Sequence, residues 1–290
     1  MSSDPLSKSY ERLRLAAIDD LKAPLVAAEL GKLCKLSLDF VRRYAELVDL
    51  VSNVPGKTYV MARLKIGARS SRPINKALFA QRITRSEIVE TLSGNVGTIP
   101  DARLDQLLYT VAISYCIAVD LISVGNKKSP GTFFEILVGH LAARRFKTNP
   151  ARHIAIPSLD IENTLPTDFI FDMGATKAKI HMPVKISTRE RVIQAWAHQR
   201  VLEGMHGAGR FRGILVILTE TNKQKESSVV EVCLPGQWAA YQMYIAPMHR
   251  VYYFDLPKRY EPLRDKYPHI QIWPFSRFFR EAEQLQTPGP

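Results

Sequence analysis

The chain has 290 residues, with 40 Lys and Arg against 28 Asp and Glu, a formal net charge of +12 and 46% apolar side chains. That composition excludes wholesale disorder and collagen-like repeats, and a chain of this length can bury a core without disulfide staples. Three widely spaced cysteines, Cys34, Cys116 and Cys233, offer neither a disulfide framework nor a zinc site, and read as buried thiols in a reducing cytoplasm.

The opening segment Met1–Tyr10 is polar and no apolar run follows it, so no secretory signal is expected. Apolar residues then recur at three- and four-residue steps over Leu13–Leu33 and Leu36–Val51, which predicts two helices. Basic and acidic side chains balance from Met1 to Gly56, whereas Lys57–Arg85 is basic throughout and holds no acid. Its cations are Lys57, Arg63, Lys65, Arg69, Arg72, Lys76, Arg82 and Arg85. Such a stretch either neutralises phosphates or forms a solvated basic face. Thr84-Arg-Ser-Glu87 has the pattern of a capping box ahead of a short helix. Asp101–Ser123 predicts a long apolar core helix; its uncharged run, Gln106–Val119, is too short to cross a bilayer.

Gly125-Asn-Lys-Lys-Ser-Pro-Gly131 breaks the helical pattern and predicts a boundary. Residues 1–125 are then a mainly helical domain suited to DNA contact and dimerisation, and 126–290 an α/β domain with a mixed sheet flanked by helices. Within the second, a helix is expected from Ser129 to about Phe146 and another over Thr188–Gly204. Strands are expected at Arg152–Ile156, Thr167–Met173, Ala178–Ser187, Gly213–Thr219, Val229–Leu234, Val251–Asp255 and His269–Trp273.

Chemistry concentrates between the first of these helices and the second. Asp168 opens one predicted strand, and Lys185 lies in the next, past a turn at Gly174-Ala175. Neighbouring strands would put the two side by side at one end of a sheet. A carboxylate there can hold Mg2+ through oxygen, and a lysine can orient a water or stabilise charge on a phosphate. The competing reading is two charges at a sheet edge. Glu135, among Phe133, Phe134, Ile136 and Leu137, either points inward to the same place or lies on the exposed stripe of its helix. The histidines His140, His181, His198 and His206 lack metal-ligand spacing and read mostly as structural, and Trp238, Tyr241 and Tyr244 read as core. The glycines around His206 fit no phosphate-binding fingerprint.

The Asp168 and Lys185 arrangement resembles the PD-(D/E)XK nuclease site, with Thr167 before the Asp and Pro183 where a second acid is usual. The following segment, Lys185-Ile-Ser-Thr-Arg189-Glu190-Arg191-Val-Ile-Gln194, resembles the type II restriction endonucleases that recognise CCGG-like and CCNGG sites, the group of EcoRII, PspGI and NgoMIV. The likeness covers roughly Phe133–Glu203. It implies a restriction-endonuclease-like α/β fold in a prokaryotic cytoplasm, a homodimer, double-stranded DNA as partner and Mg2+ as cofactor. Asp168 and Glu135 are then the metal-binding acids and Lys185 the catalytic lysine. In that group the missing acid comes from the helix that follows the lysine. The places it would take are held by His198 and Gln199 here, so Gln199, or Glu203 one turn on, is the candidate replacement. Arg189, Glu190 and Arg191, with Gln194, are the candidate base readers, since Arg pairs with guanine and a carboxylate with cytosine. The triplet reads alternatively as a Ser187-x-x-Glu190 helix cap with two solvated arginines. Lys57, Arg63, Lys65, Arg69, Arg72 and Lys76 are the candidate DNA-backbone contacts. Two rivals stay open: a repair or structure-specific endonuclease on the same fold, and a non-catalytic DNA-binding regulator with a degenerate nuclease domain.

Overall fold

The computed structural model describes residues 4–123, 125–155, 164–188 and 192–287. Helices α1 (Asp4–Asp19) and α2 (Pro24–Tyr44) open the chain. Pro24 stands in the first turn of α2, where its missing N–H leaves no bond unmade, and Val26, Leu30, Leu33, Leu38 and Val41 form its buried stripe. The helix expected through Val51 ends at Tyr44. The chain passes straight into β1 (Ala45–Ser52), which pairs antiparallel with β2 (Tyr59–Leu64) from Ala45↔Leu64 to Leu50↔Tyr59, and β3 (Ile74–Asn75) adds to β2. Local apolar spacing runs on across Tyr44; hairpin pairing with β2, which helical spacing does not register, decides the strand.

Helix α3 (Arg85–Ser93) begins with the predicted capping box: Thr84 Oγ1 accepts from the Glu87 N–H at 3.2 Å, and Glu87 Oε2 accepts from the Thr84 N–H at 2.8 Å. Helix α4 (Asp101–Ile122) is long and apolar enough to cross a membrane by length and composition, but most of it is buried among α2, α3, α5 and α9. Helix α5 (Lys128–Phe146) follows, buried on most of its circumference.

The rest of the chain builds the larger sheet and its cover. In order these are β4 (Ala151–Ala155), β5 (Thr164–Phe171), β6 (Lys179–His181), β7 (Val184–Lys185), α6 (Val192–His206), β8 (Phe211–Ile217), β9 (Thr221–Gln224), β10 (Ser228–Glu231), α7 (Pro235–Tyr244), β11 (Met248–Tyr253), α8 (Glu261–Lys266), β12 (Ile272–Pro274) and α9 (Ser276–Glu281). The strand expected over Ala178–Ser187 is split into β6 and β7 at Met182-Pro183.

The larger sheet runs β12-β11-β8-β6-β5-β4, with β7 also on β8. β4, β5 and β6 are antiparallel, whereas β6, β7 and β11 pair parallel with β8. A smaller sheet runs β3-β2-β1-β10-β9, its middle formed by the parallel pair β1 and β10. The apolar core is continuous across residue 125: α2, α4, α5, β5, β8 and α9 all contribute to one cluster. The boundary expected there is therefore a loop within one packed body. The mixed α/β fold predicted from the sequence is the observed one, with β1–β3 an addition to the helical N-terminal part.

Alternation on β5 positions the site. Phe169 and Phe171 enter the core beneath α5, while Ile170 faces the other way and packs with Leu202 of α6. Gly139 of α5 sits directly over Phe169; a Cβ there would come within 2.5 Å of the ring. Only a glycine lets α5 lie this close to the strand that carries Asp168.

Candidate active site

Asp168 and Lys185 are brought together as the sequence predicts. Asp168 Oδ2 accepts from Lys185 Nζ at 2.9 Å and from the Val184 N–H at 2.8 Å. Both side chains are about a quarter exposed, at 21% and 27%. The β5–β6 register, Ile170↔His181, fixes this meeting, and Pro183 tolerates the break between β6 and β7 because its carbonyl still accepts from the Val216 N–H at 2.9 Å.

Helix α6 covers this face of the sheet and leaves a cleft of about 190 Å3. Pro166, Thr167, Asp168, His181, Pro183 and Lys185 form the sheet side, and Gln194, Ala195 and His198 the helix side. Gln194, a candidate base reader, is exposed at the cleft.

Glu135 comes from α5, partly buried and without a hydrogen bond or ion pair among the described residues. Its carboxyl is pushed above the usual range, first by burial and then by the negative charge of Asp168, against the pull of Lys185 and Arg152. It therefore lies in the field of the Asp168–Lys185 pair, the inward reading of the two. Two acids share one lysine, and the second has no proton donor. A divalent cation that takes oxygen ligands and keeps water fits that donor set. Among the described residues no three carboxylate, imidazole or thiolate side chains converge on one point, so such a cation would meet at most two of them.

Gln199 does not take the ligand place expected of it. It is 1% exposed behind the cleft wall, its Oε1 lies 3.0 Å from His181 Nδ1, and its Nε2 donates to Phe211 O at 2.9 Å and Glu203 Oε1 at 3.0 Å. Every polar atom of the amide is committed to the interior. Glu203 is occupied by Gln199 and is not on the cleft wall. His198 and His181 both line the cleft, so His181, read mostly as structural, belongs beside the Asp168–Lys185 pair. The signal was present: His181, Pro183 and Lys185 have the same parity along one extended segment. Burial pushes the imidazole of His181 down to about 4, and burial together with Lys185 also lowers that of His198.

Arg189, Glu190 and Arg191 lie outside the described residues. Just before them, Thr188 donates from both its N–H and its hydroxyl to Glu220, which also accepts from Tyr253 at 2.9 Å.

The basic stretch divides. Lys57 is no backbone contact: its side chain is 9% exposed, and Nζ donates to Asp255 at 2.7 Å, Glu231 at 2.9 Å and Leu256 O at 2.6 Å. Arg72 is likewise taken, gripping Asp120 with Nε at 2.8 Å and Nη2 at 2.9 Å. Arg69 donates to Ile122 O at 2.7 Å and closes the end of α4. Acids and carbonyls supplied by distant segments explain these corrections, since a count along the stretch itself could not see them. Arg63 is partly buried on β2, while Lys65 and Lys76 are exposed, the latter pairing at the surface with Asp49.

No family model matches the chain, and no curated protein matches it in sequence. Among solved structures it is similar to the type IIP restriction endonuclease Kpn2I, with a TM-score of 0.82 and 23% identity over 97% of each chain. A second similar structure is restriction endonuclease PspGI with its substrate DNA, at a TM-score of 0.44 and 18% identity over 70% of this chain and 89% of that one. The likeness to the first extends over nearly the whole of both chains and shows that this chain has the same mixed α/β fold.

Proposed function

We propose that the chain is a type II restriction endonuclease that hydrolyses double-stranded DNA at a palindromic site with a CCGG-like core, using Mg2+. The observation that carries this reading is the Asp168–Lys185 pair in a cleft, with Glu135 in its field. The end-to-end similarity to an enzyme described as a type IIP restriction endonuclease supports it.

Asp168, with Glu135 as second acid, would hold Mg2+. When bound, the ion supplies a water acidic enough to attack at neutral pH and offsets charge on the phosphate. Asp168 aims Lys185 Nζ, which can donate to a non-bridging phosphate oxygen or orient the attacking water. Arg189, Glu190 and Arg191, with Gln194, would read C·G pairs at ~1–3 kcal/mol of discrimination per good contact. Of the basic stretch, Lys65, Arg69, Lys76, Arg82 and Arg85 are exposed enough to meet phosphates. A palindromic target calls for a two-fold protein, hence a homodimer.

Digestion of a sequenced phage DNA with and without Mg2+ tests this. Discrete fragments in Mg2+ alone are expected, with cleavage abolished by Asp168→Ala and by Lys185→Ala while DNA binding survives. Full activity in either variant refutes the assignment, and a sequence-indifferent smear favours a structure-specific nuclease. A second reading, a DNA-binding regulator that does not cut, draws on the neutral amide at Gln199 where the resembling enzymes carry an acid. Site-specific binding without cutting in several divalent ions would establish it.

A further inference from the structure

One wall of the cleft carries a group that the proposed chemistry leaves unused. His181 is 1% exposed on β6, and its ring lines the cleft beside Asp168. Gln199 fixes which nitrogen of that ring carries the proton. The amide Nε2 donates to Phe211 O, a carbonyl that can only accept, and to Glu203 Oε1. Its Oε1 therefore faces His181, and His181 must donate to it from Nδ1. In the neutral ring the lone pair then sits on Nε2. No described residue bonds that Nε2.

The sheet side of the cleft thus carries two electron-pair donors, the Asp168 carboxylate and the His181 lone pair, with the His198 imidazole on the helix side. Its single lysine is already on Asp168. An anion or a carbonyl has nothing to gain at Nε2, whereas a cation does.

We propose that His181 Nε2 is a ligand of the cation in this cleft, beside Asp168, so that the site takes a borderline transition-metal dication such as Mn2+ or Co2+ more tightly than Mg2+. The inference rests on reading the cleft as a cation-dependent nuclease site, and it changes which cation the site prefers. Imidazole suits first-row transition metals, while Mg2+ favours oxygen and retains water. The two protein donors are then Asp168 and His181, with Glu135, which is not on the cleft wall, left outside the coordination; water and substrate phosphate take the remaining places, in agreement with the absence of a three-residue cage among the described residues. Gln199 is then a positioning residue: it holds the tautomer that leaves Nε2 free, as partners of metal-bound histidines do.

The test is Mn2+ binding to the full-length protein without DNA. Free Mn2+ is read by its EPR signal, and directly bound nitrogen by electron spin echo modulation. The wild type is expected to show a coordinated 14N. His181→Gln, which keeps a donor for Gln199, should abolish that coupling and weaken Mn2+ binding by about 10–100-fold. Mg2+ binding, read by competition, should change far less. His198→Gln should leave the coupling in place, as should Gln199→Glu, which keeps an acceptor on Nδ1. If His181→Gln does not fold, Gln199→Met decides: weaker Mn2+ binding supports the proposal, and unchanged binding overturns it. No coupling in the wild type, coupling that survives in His181→Gln, or coupling lost only in His198→Gln also overturns it. A protein that binds Mn2+ through nitrogen yet cuts no DNA refutes the nuclease reading alone. One that cuts with Mg2+ but shows no nitrogen coupling refutes this inference alone.

Discussion

Replacing Lys57 by alanine removes the one ammonium shared by Asp255 and Glu231, whose side chains are 1% and 4% exposed. Breaking a buried ion pair from one side costs about 3–5 kcal/mol, because the abandoned charge stays buried. The surroundings soften the loss. Asp255 keeps donors in Asn75 Nδ2 at 2.9 Å, Tyr59 Oη at 3.3 Å and Thr219 Oγ1 at 3.4 Å, and Glu231 keeps the Lys258 N–H at 3.2 Å. A loss near the lower end, about 3 kcal/mol, is expected, which lowers Tm by roughly 6 °C. Burial pulls the Lys57 ammonium down, but the charges of Asp255 and Glu231 outweigh it and its pKa is raised. A raised folded-state value means the contribution is fully present below the unfolded-state pKa, ~10.4, and is lost only as pH rises through the folded one. The gap between variant and wild type should therefore be the same at pH 6 and pH 9. Urea unfolding at both pH values measures it, with DNA affinity followed against salt. A loss below about 1 kcal/mol with a shallower salt dependence of DNA binding would refute the reasoning and return Lys57 to the phosphates.

Gly139→Ala forces a methyl against Phe169 and should cost about 1–3 kcal/mol, with cleavage falling because α5 and β5 carry Glu135 and Asp168; calorimetry and a cleavage assay read the two effects. Thr84→Ala removes the α3 cap and should cost about 1 kcal/mol in urea unfolding. The Glu87 carboxyl is held down at about 2 by the Thr84 N–H and then by Arg103. Its contribution is present above the unfolded-state pKa, ~4.3, and should fade as pH falls from there through about 2, with the Thr84→Ala difference shrinking in parallel. Burial raises the thiols of Cys34 and Cys116 to about 11 and that of Cys233 to about 12, so none should be alkylated by iodoacetamide at neutral pH until the protein is unfolded; mass spectrometry counts the adducts.

The Asp168–Lys185 pair was legible because its signal is local. Asp168 and Lys185 sit on strands joined by one turn, and β pairing carries a spacing along the chain into proximity in space. Glu135 was legible as a lone acid in an apolar run, although only packing of α5 on β5 chose the inward reading. His181 was hidden by weighing histidines for metal spacing along the chain rather than by strand parity. Gln199 was misplaced because the side to which an α6 residue turns depends on contacts with β6 and β8 that no spacing encodes. In the basic stretch Lys57 and Arg72 were misread for the converse reason: they are answered by acids of α4, β10 and the segment after β11, far away in sequence.

The parallel pairing of β1 with β10 sets a timetable for the newborn chain. Val51 meets Ser228, so the first hairpin, complete at Leu64, leaves the ribosome roughly 160 residues before its partner, a wait on the order of ten seconds or more at ordinary synthesis rates. During that wait the free edge of β1 is a template for any extended chain nearby. The exposed charges Glu46 and Asp49 elsewhere on this strand are suited to discourage such pairing along the part of the edge that β10 never covers. Release of a folded protein is thereby tied to synthesis of its last quarter, and a truncated product would be a sticky fragment rather than a partly folded one.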